Sequence, residues 1–395
     1  MLSTVAAPPE TGGQPTFADD VAFLKQHLEV ITLSGPEGNA QVAVVPAYQG
    51  RVMTSTARGP AGASFGWVNR DLIASGKMQP HINVYGGEDR FWMGPEGGQF
   101  AIFFAPGAPF DLEHWQTPAV IDTEPFDVVE SAAGRVAFRR TARVQNRAGT
   151  TFDIQVDRVV RLLSPEQAGE TLHVEIPAGL DLVAYETENT LMNRGSASWR
   201  HESGLLSIWI LGMFNASPDT TIVIPFVAGP ESERGPKLND AYFGHIPAER
   251  LVVRDEVAFF KADARHRGKI GVAPLRAKPV LGSYDASGQV LTLVQYTKPG
   301  AVIDFVNSMW EVQEEPYRGD VVNSYNDGPP EPGKPGLGNF YELETSSPAA
   351  DLPPNGTITH AHRTFHFQGS EAALSAVAQA CLGVSTEEIR TAFAP

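Results

Sequence analysis

The stretch FYELETSSPAADLPPNGTITHAHRTFHF, Phe340 to Phe367, holds two runs of alternating side chains separated by a segment rich in Pro, Asn and Gly. Phe, Tyr, Leu and Thr favour a pleated backbone, and the prolines and glycine between the runs break it. With a side-chain period of two, Phe340, Glu342 and Glu344 share one face of the first run, and Tyr341, Leu343 and Thr345 the other. In the second run His360, His362, Thr364 and His366 face one way and Ala361, Arg363, Phe365 and Phe367 the other. The stretch therefore reads as strand, turn, strand. Two glutamates side by side on a strand admit two explanations: a charge pair on a sheet edge, or the chemistry of a site.

Working outward, the same alternation recurs in EVITL, AQVAVVP, QFAIFF, RVAFRRTARVQN, TFDIQVDRVVRLL, TLHVEI, LSIWIL, TIVIPFV, LVVRDEVAFF and QVLTLVQY, which predicts more than ten strands. Gly, Pro and Asn clusters such as RGPAGA and DASGQ separate them as antiparallel turns. No alternation of strand with helix is present, so a parallel doubly wound sheet is not expected. Helices are expected only at the ends. Val21, Phe23, Leu24 and Leu28 have helical spacing behind Thr16 and Asp19. SEAALSAVAQACLG and STEEIRTAF close the chain, with Ser385 and Glu388 spaced as a capping box.

Residues 1–16 lack a basic region followed by an apolar one and read as a disordered leader, with no membrane span. Residues 17–395 read as one β-sandwich domain ending in a helical segment. The loop NDGPPEPGKPGLG, Asn326 to Gly338, has four prolines and four glycines. Too little chain follows it for an independent core, so it reads as an ordered surface or functional loop.

The chain has 395 residues, 42% of them hydrophobic, and a formal charge of −16. That charge repels nucleic acid, anionic lipid and polyuronates and leaves neutral small molecules or sugars as the better candidate partners. Cys381 is the only cysteine, so neither a disulfide within the chain nor a cysteine zinc site is expected. The three same-face histidines point in parallel, about 7 Å apart, so no metal is expected, and no cofactor.

NVYGGEDRFWMGPEGGQF, Asn83 to Phe100, places five glycines around Glu88, Asp89, Arg90, Trp92 and Glu96. The spacing fits no phosphate loop or dinucleotide fingerprint. It suits either salt-bridged tight turns or a sugar site, where an aromatic face stacks on a pyranose while carboxylate and guanidinium groups bind hydroxyls. YETENTLMNRG adds Asn189 and Asn193, and SYNDG adds Tyr325, Asn326 and Asp327. No GxSxG elbow supports a Ser-His-Asp triad.

In motif order the chain resembles the galactose mutarotase-like superfamily, the antiparallel β-supersandwich of the aldose 1-epimerases. LETSSPAADLPPNGTITHAHRTFHF resembles that family's ending, NVYGGEDRFW its Asn-x-His-Gly-Gly segment, and ENTLMNRG its Asn-His segment. The resemblance implies that Glu344 is the catalytic base. From their residue types, Glu342 is expected to act beside it, and Glu88, Arg90, Trp92, Asn189, Asn193, Tyr325, Asn326, Asp327 and His362 to bind substrate. The resemblance also exposes a departure. Tyr85 and Thr190 stand where the family has histidines, the second of which is its general acid, so the chain reads as a branch lacking them. Three functions follow for comparison: an epimerase acting on a neutral sugar, a carbohydrate-binding protein without turnover, and a polysaccharide lyase or hydrolase.

Overall fold

The computed structural model describes residues 15–331 and 333–394. The expected leader thus falls mostly outside the described residues. Its last residue, Thr16, is the N-cap of α1 (Phe17–His27): its hydroxyl accepts from Asp19 N at 3.2 Å and Asp19 accepts back from Thr16 N at 3.0 Å, a capping box.

The chain then forms β1 (Ile31–Ser34), β2 (Gln41–Val45), β3 (Arg51–Thr56), α2 (Arg70–Ser75), β4 (Arg90–Gly94), α3 (Ala119–Asp122), β5 (Asp127–Ala132), β6 (Arg135–Gln145), β7 (Thr151–Leu162), α4 (Pro165–Leu172), β8 (Asp181–Asn193), β9 (Ser207–Asn215) and β10 (Thr220–Pro225). The rest comprises α5 (Glu231–Arg234), β11 (Leu251–Val253), β12 (Val257–Lys261), β13 (Gly268–Val272), β14 (Val280–Asp285), β15 (Val290–Tyr296), β16 (Val322–Asn326), β17 (Phe340–Ser346), β18 (Thr357–Gln368), α6 (Glu371–Leu382) and α7 (Thr386–Arg390). The protein is mainly β, and every pair of neighbouring strands is antiparallel.

β1 to β3 make a small sheet. A ten-stranded sheet runs β11-β12-β10-β14-β15-β18-β8-β7-β6-β5, and a five-stranded sheet runs β13-β16-β17-β9-β4. Between the two large sheets, Ile270, Val322, Tyr341 and Leu343 pack against Ile222, Ile224, Leu281 and Val294. On the far side of the ten-stranded sheet Leu291, Leu293, Phe365 and Phe367 are covered by Leu374, Val377 and Leu382 of α6 and Ile389 of α7. Each such side chain contributes about 1.5–3 kcal/mol relative to exposure. The alternation of β18 is therefore buried on both faces: phenylalanines under the helices, histidines toward the five-stranded sheet.

Two expected strands are absent. QFAIFF is a loop whose Ala101, Ile102, Phe103 and Phe104 are buried beside Trp92 and Trp115; it is apolar because it fills a core, and its pairing is limited to an isolated bridge between Phe104 and Trp115. TLHVEI instead ends α4, started by the Ser164–Gln167 capping box and stopped at His173 in the left-handed region. Conversely β4, β13 and β16 are short five-residue strands bracketed by Gly, Asp or Asn, and alternation alone did not separate them from turns. No described helix is long and apolar enough to cross a membrane.

Candidate functional site

The outer face of the five-stranded sheet is the floor of a cleft of about 710 Å3, inside the range of roughly 300–1,000 Å3 usual for small-molecule sites. Register sets what the floor presents. Arg90 pairs with Leu211, Leu211 with Glu344, and Glu344 with Asn323, while Glu342 pairs with Tyr325 and Tyr325 with Lys269. By the two-residue period all of these side chains lie on one face.

Glu344 is wholly buried beneath this floor. Its Oε2 accepts from Trp209 Nε1 and from Lys269 Nζ, each at 3.0 Å. Its Oε1 is buried and has no partner among the described residues. Lys269 reaches inward from the edge strand β13, with Nζ 4.8 Å from the centre of the Trp209 ring and 5.6 Å from that of Tyr242. Burial works against its charge, but Glu344, Glu96 and Glu342 outweigh burial and hold the ammonium above its ordinary range.

Glu342 meets Arg90 Nη2 at 2.5 Å, and Arg90 lies over the Trp92 ring at 5.1 Å. Burial, reinforced by the neighbouring Glu344 charge, pushes Glu342 up to about 8 against the pull of Arg90. The upward direction governs, because two carboxylates share one dry face and Lys269 already answers Glu344.

The walls come from loops. Glu96 follows β4, and its carboxyl is pushed up by burial and by Glu344, against Lys269 and the indoles of Trp310 and Trp115. The loop holding it is tied down by close backbone approach: a Cβ on Gly97 would lie 2.3 Å from Met309 O, so only glycine fits. Opposite, Tyr242 Oη donates to Asp320 at 2.6 Å and accepts from Asn323 Nδ2 at 3.1 Å. Burial raises Asp320 to about 6. Tyr325 Oη donates to Asp327 Oδ1 at 2.7 Å, and Asp327 Oδ2 accepts from Gly338 N at 2.7 Å. That second bond folds the Pro- and Gly-rich loop over the cleft, where Gly328, Pro330 and Leu337 line it.

Of the residues singled out from sequence, the sheet brings together Glu342, Glu344, Arg90, Trp92, Tyr325 and Asp327. Five others lie elsewhere. Glu88 precedes β4, after the positive-φ glycines Gly86 and Gly87, and points between the sheets to Ser55, Tyr185 and His366. Asn189 binds Arg158 and the His360 carbonyl in the same interior. Asn193 and Asn326 hold loop backbone, bonding Ala197 and Leu352, and His266 and Ala264, respectively.

His362 lies behind the Glu344 strand, its Nδ1 2.8 Å from Thr345 Oγ1. Burial lowers it to about 4, and burial with the nearby His362 lowers His360 to about 3. Among the described residues no three His, Cys, Asp or Glu side chains are grouped to hold a metal ion.

Lys269, Trp209, Tyr242 and Asp320 are site residues that the sequence did not point to, and Glu96 stood out only as part of the glycine-rich segment, with no role of its own. Ser207 and Trp209 share a face of LSIWIL, a signal hidden inside an apolar run, and Glu96 is bracketed by glycines. Lys269 gives no local sign.

The fold is similar to that of the Slr1438 protein from Synechocystis sp. PCC 6803, with a TM-score of 0.51 and 12% identity over 87% of this chain and 96% of that one. It is similar to an Escherichia coli K12 protein described as a "putative aldose 1-epimerase", with a TM-score of 0.51 and 11% identity over 87% and 99% of the two chains. A galactose mutarotase-like protein from Lactobacillus casei ATCC 334 aligns with a TM-score of 0.49 and 11% identity over 86% and 100%. At such identities the likeness concerns the fold, which is the galactose mutarotase-like β-supersandwich; it transfers no residue roles. No curated protein matches the chain. A family model matches residues 15–393, and the chain belongs to that family, a family of unknown function (DUF6786).

Proposed function

We propose that the cleft binds a neutral sugar and that the protein exchanges its anomers by acid and base chemistry. The observation that carries this reading is Glu344 Oε1, a buried carboxylate oxygen without a donor, beneath the floor that Trp209 and Lys269 form in an aromatic-lined cleft. A buried acceptor left unmatched is costly, and a sugar hydroxyl is a donor of the right kind. Ser207 Oγ, on the same floor, is likewise unmatched.

In this reading Glu344 takes the proton of the anomeric hydroxyl while Glu342, kept protonated by burial and by its neighbour, gives a proton to the ring oxygen. The bond from the anomeric carbon to the ring oxygen breaks, the aldehyde rotates, and closure on either face returns both protons. Glu342 would then stand in for the histidine acid of the epimerases. Lys269 keeps its charge and fixes the orientation of Glu344.

A second reading, sugar binding without turnover, is favoured by one feature: each glutamate already holds a cation, Lys269 on Glu344 and Arg90 on Glu342. The deciding experiment is anomer exchange measured by NMR across a panel of neutral aldoses, with calorimetric titration in parallel. Exchange faster than buffer for at least one sugar is expected. Binding without any exchange replaces the catalytic reading with the binding one, and neither binding nor exchange removes both.

A further inference from the structure

We infer that the ligand of the cleft is an oligosaccharide, with the glutamates meeting one sugar unit and further units extending toward aromatic platforms at the two ends. The inference rests on the carbohydrate reading above and adds the size of the ligand. The two ends are separately built. At one, Trp115 and Trp310 stack with ring centres 6.0 Å apart at 29°. This pair is anchored to the β4 edge through Phe103, whose ring lies 5.9 Å from Trp115 and 5.4 Å from Trp92.

At the other end, Phe243 and Tyr325 meet edge to face at 5.9 Å and 73°, with Arg267 4.0 Å over Phe243. Tyr325 stands on β16 and Arg267 immediately precedes the opposite edge strand, β13. β4 and β13 are separated by four strand spacings, about 19 Å at 4.8 Å each.

The glutamate strand, β17, is the middle strand of the five. Trp209 and Lys269 Nζ lie over it, and they bridge the gap between the two platforms. The cleft is lined from Gly94 on β4 to Lys269 on β13, so its floor spans this full width, more than one pyranose ring covers. A chain of sugars satisfies all three places. The rim agrees: Leu112, Leu337 and Phe243 are 65%, 56% and 48% exposed around the mouth, an apolar border suited to the faces of added sugar rings rather than to bulk water.

The test is calorimetric titration of the full chain with glucose, then maltose and maltotriose, then cellobiose and cellotriose, with galactose and lactose as a second pair. At least one trisaccharide is expected to bind about 10-fold or more tightly than its monosaccharide. Phe243→Ala, at an exposed position that tolerates truncation, and Trp310→Ala should each shrink that ratio severalfold, with circular dichroism confirming the fold. Monosaccharide binding with no gain along any series overturns the oligosaccharide inference and leaves the sugar-site reading standing. A length-dependent gain that both variants leave intact overturns the placement of the platforms and with it the inference. No binding of any sugar removes both readings.

Discussion

Glu88 and Glu344 are both completely buried, yet their surroundings differ in kind. Glu88 Oε1 accepts from Ser55 N at 2.5 Å, and its Oε2 is reached by Ser55 Oγ at 2.8 Å, Tyr185 Oη at 3.0 Å and His366 Nε2 at 3.0 Å. Glu344 has Trp209 and Lys269 on one oxygen, no N–H or hydroxyl donor among the described residues on the other, and beside it only the Glu342 carboxyl. Burial alone therefore does not mark a functional carboxylate. A group whose lone pairs are filled by its own chain is holding strands together. One left partly unfilled beside a cleft is available to a ligand.

The comparison can be broken most directly at Glu344. Glu344→Gln keeps the size of the side chain and removes the proton acceptor, so anomer exchange should fall by about 100-fold to 10,000-fold, with sugar affinity much less affected. Exchange that survives the change would place the base elsewhere. The next largest effect belongs to the other glutamate. Glu88→Gln puts an amide N–H against donors already in place, and should cost about 3 kcal/mol of stability in urea melts while leaving anomer exchange by the folded protein within a few-fold of wild type. If Glu88→Gln lowers exchange as much as Glu344→Gln does, the distinction between the two carboxylates carries no weight.

The smallest effect is in the pH profile, where the two faces of the five-stranded sheet act in opposite directions. His360 and His362, on the inner side, have folded values lowered to about 3 and about 4, below the unfolded value near 6.5. Between those limits the unfolded chain binds more protons, so stability is full above pH 6.5 and lost as the pH falls, by up to about 1.4 kcal/mol per unit for each histidine. Glu342, on the cleft side, is raised to about 8. Its contribution is present at low pH and is lost as the pH rises from about 4.5 to 8. Together these three groups place maximum stability near pH 6.5. Chemical denaturation across pH 4 to 9 checks it: His362→Asn should flatten the acid limb and Glu342→Gln the alkaline one.

The fold was legible because β17 and β18 carry clean alternation around a Pro and Gly turn, and the same period recurs along most of the chain. The central part of the site was legible for the same reason: once Glu342 and Glu344 share a face, register decides which neighbours join them. The period misled where backbone turned. Glu88 is two residues from Arg90 and would share its face in a continuous strand, but β4 begins only at Arg90, after the glycine turn that swings Glu88 inward. Asn189 and His362 both lie on strands of the ten-stranded sheet and point into the interior between the sheets, where the five-stranded sheet separates them from the cleft. Lys269 and Tyr242 were missed because their role comes from long-range placement, and nothing within a few residues of either marks it.

Thr345, which sits between Glu344 and the interior, has one further consequence. Its Oγ1 lies 2.8 Å from His360 Nε2 and 2.8 Å from His362 Nδ1. A hydroxyl carries a single hydrogen, so it cannot donate to both rings. At least one imidazole must present its own N–H to that oxygen, and in a neutral ring the opposite nitrogen is then a bare lone pair. The tautomers of the two histidines are therefore tied to each other through a threonine. The backbone that aims a carboxylate at the cleft on one side fixes the orientation of a proton chain on the other.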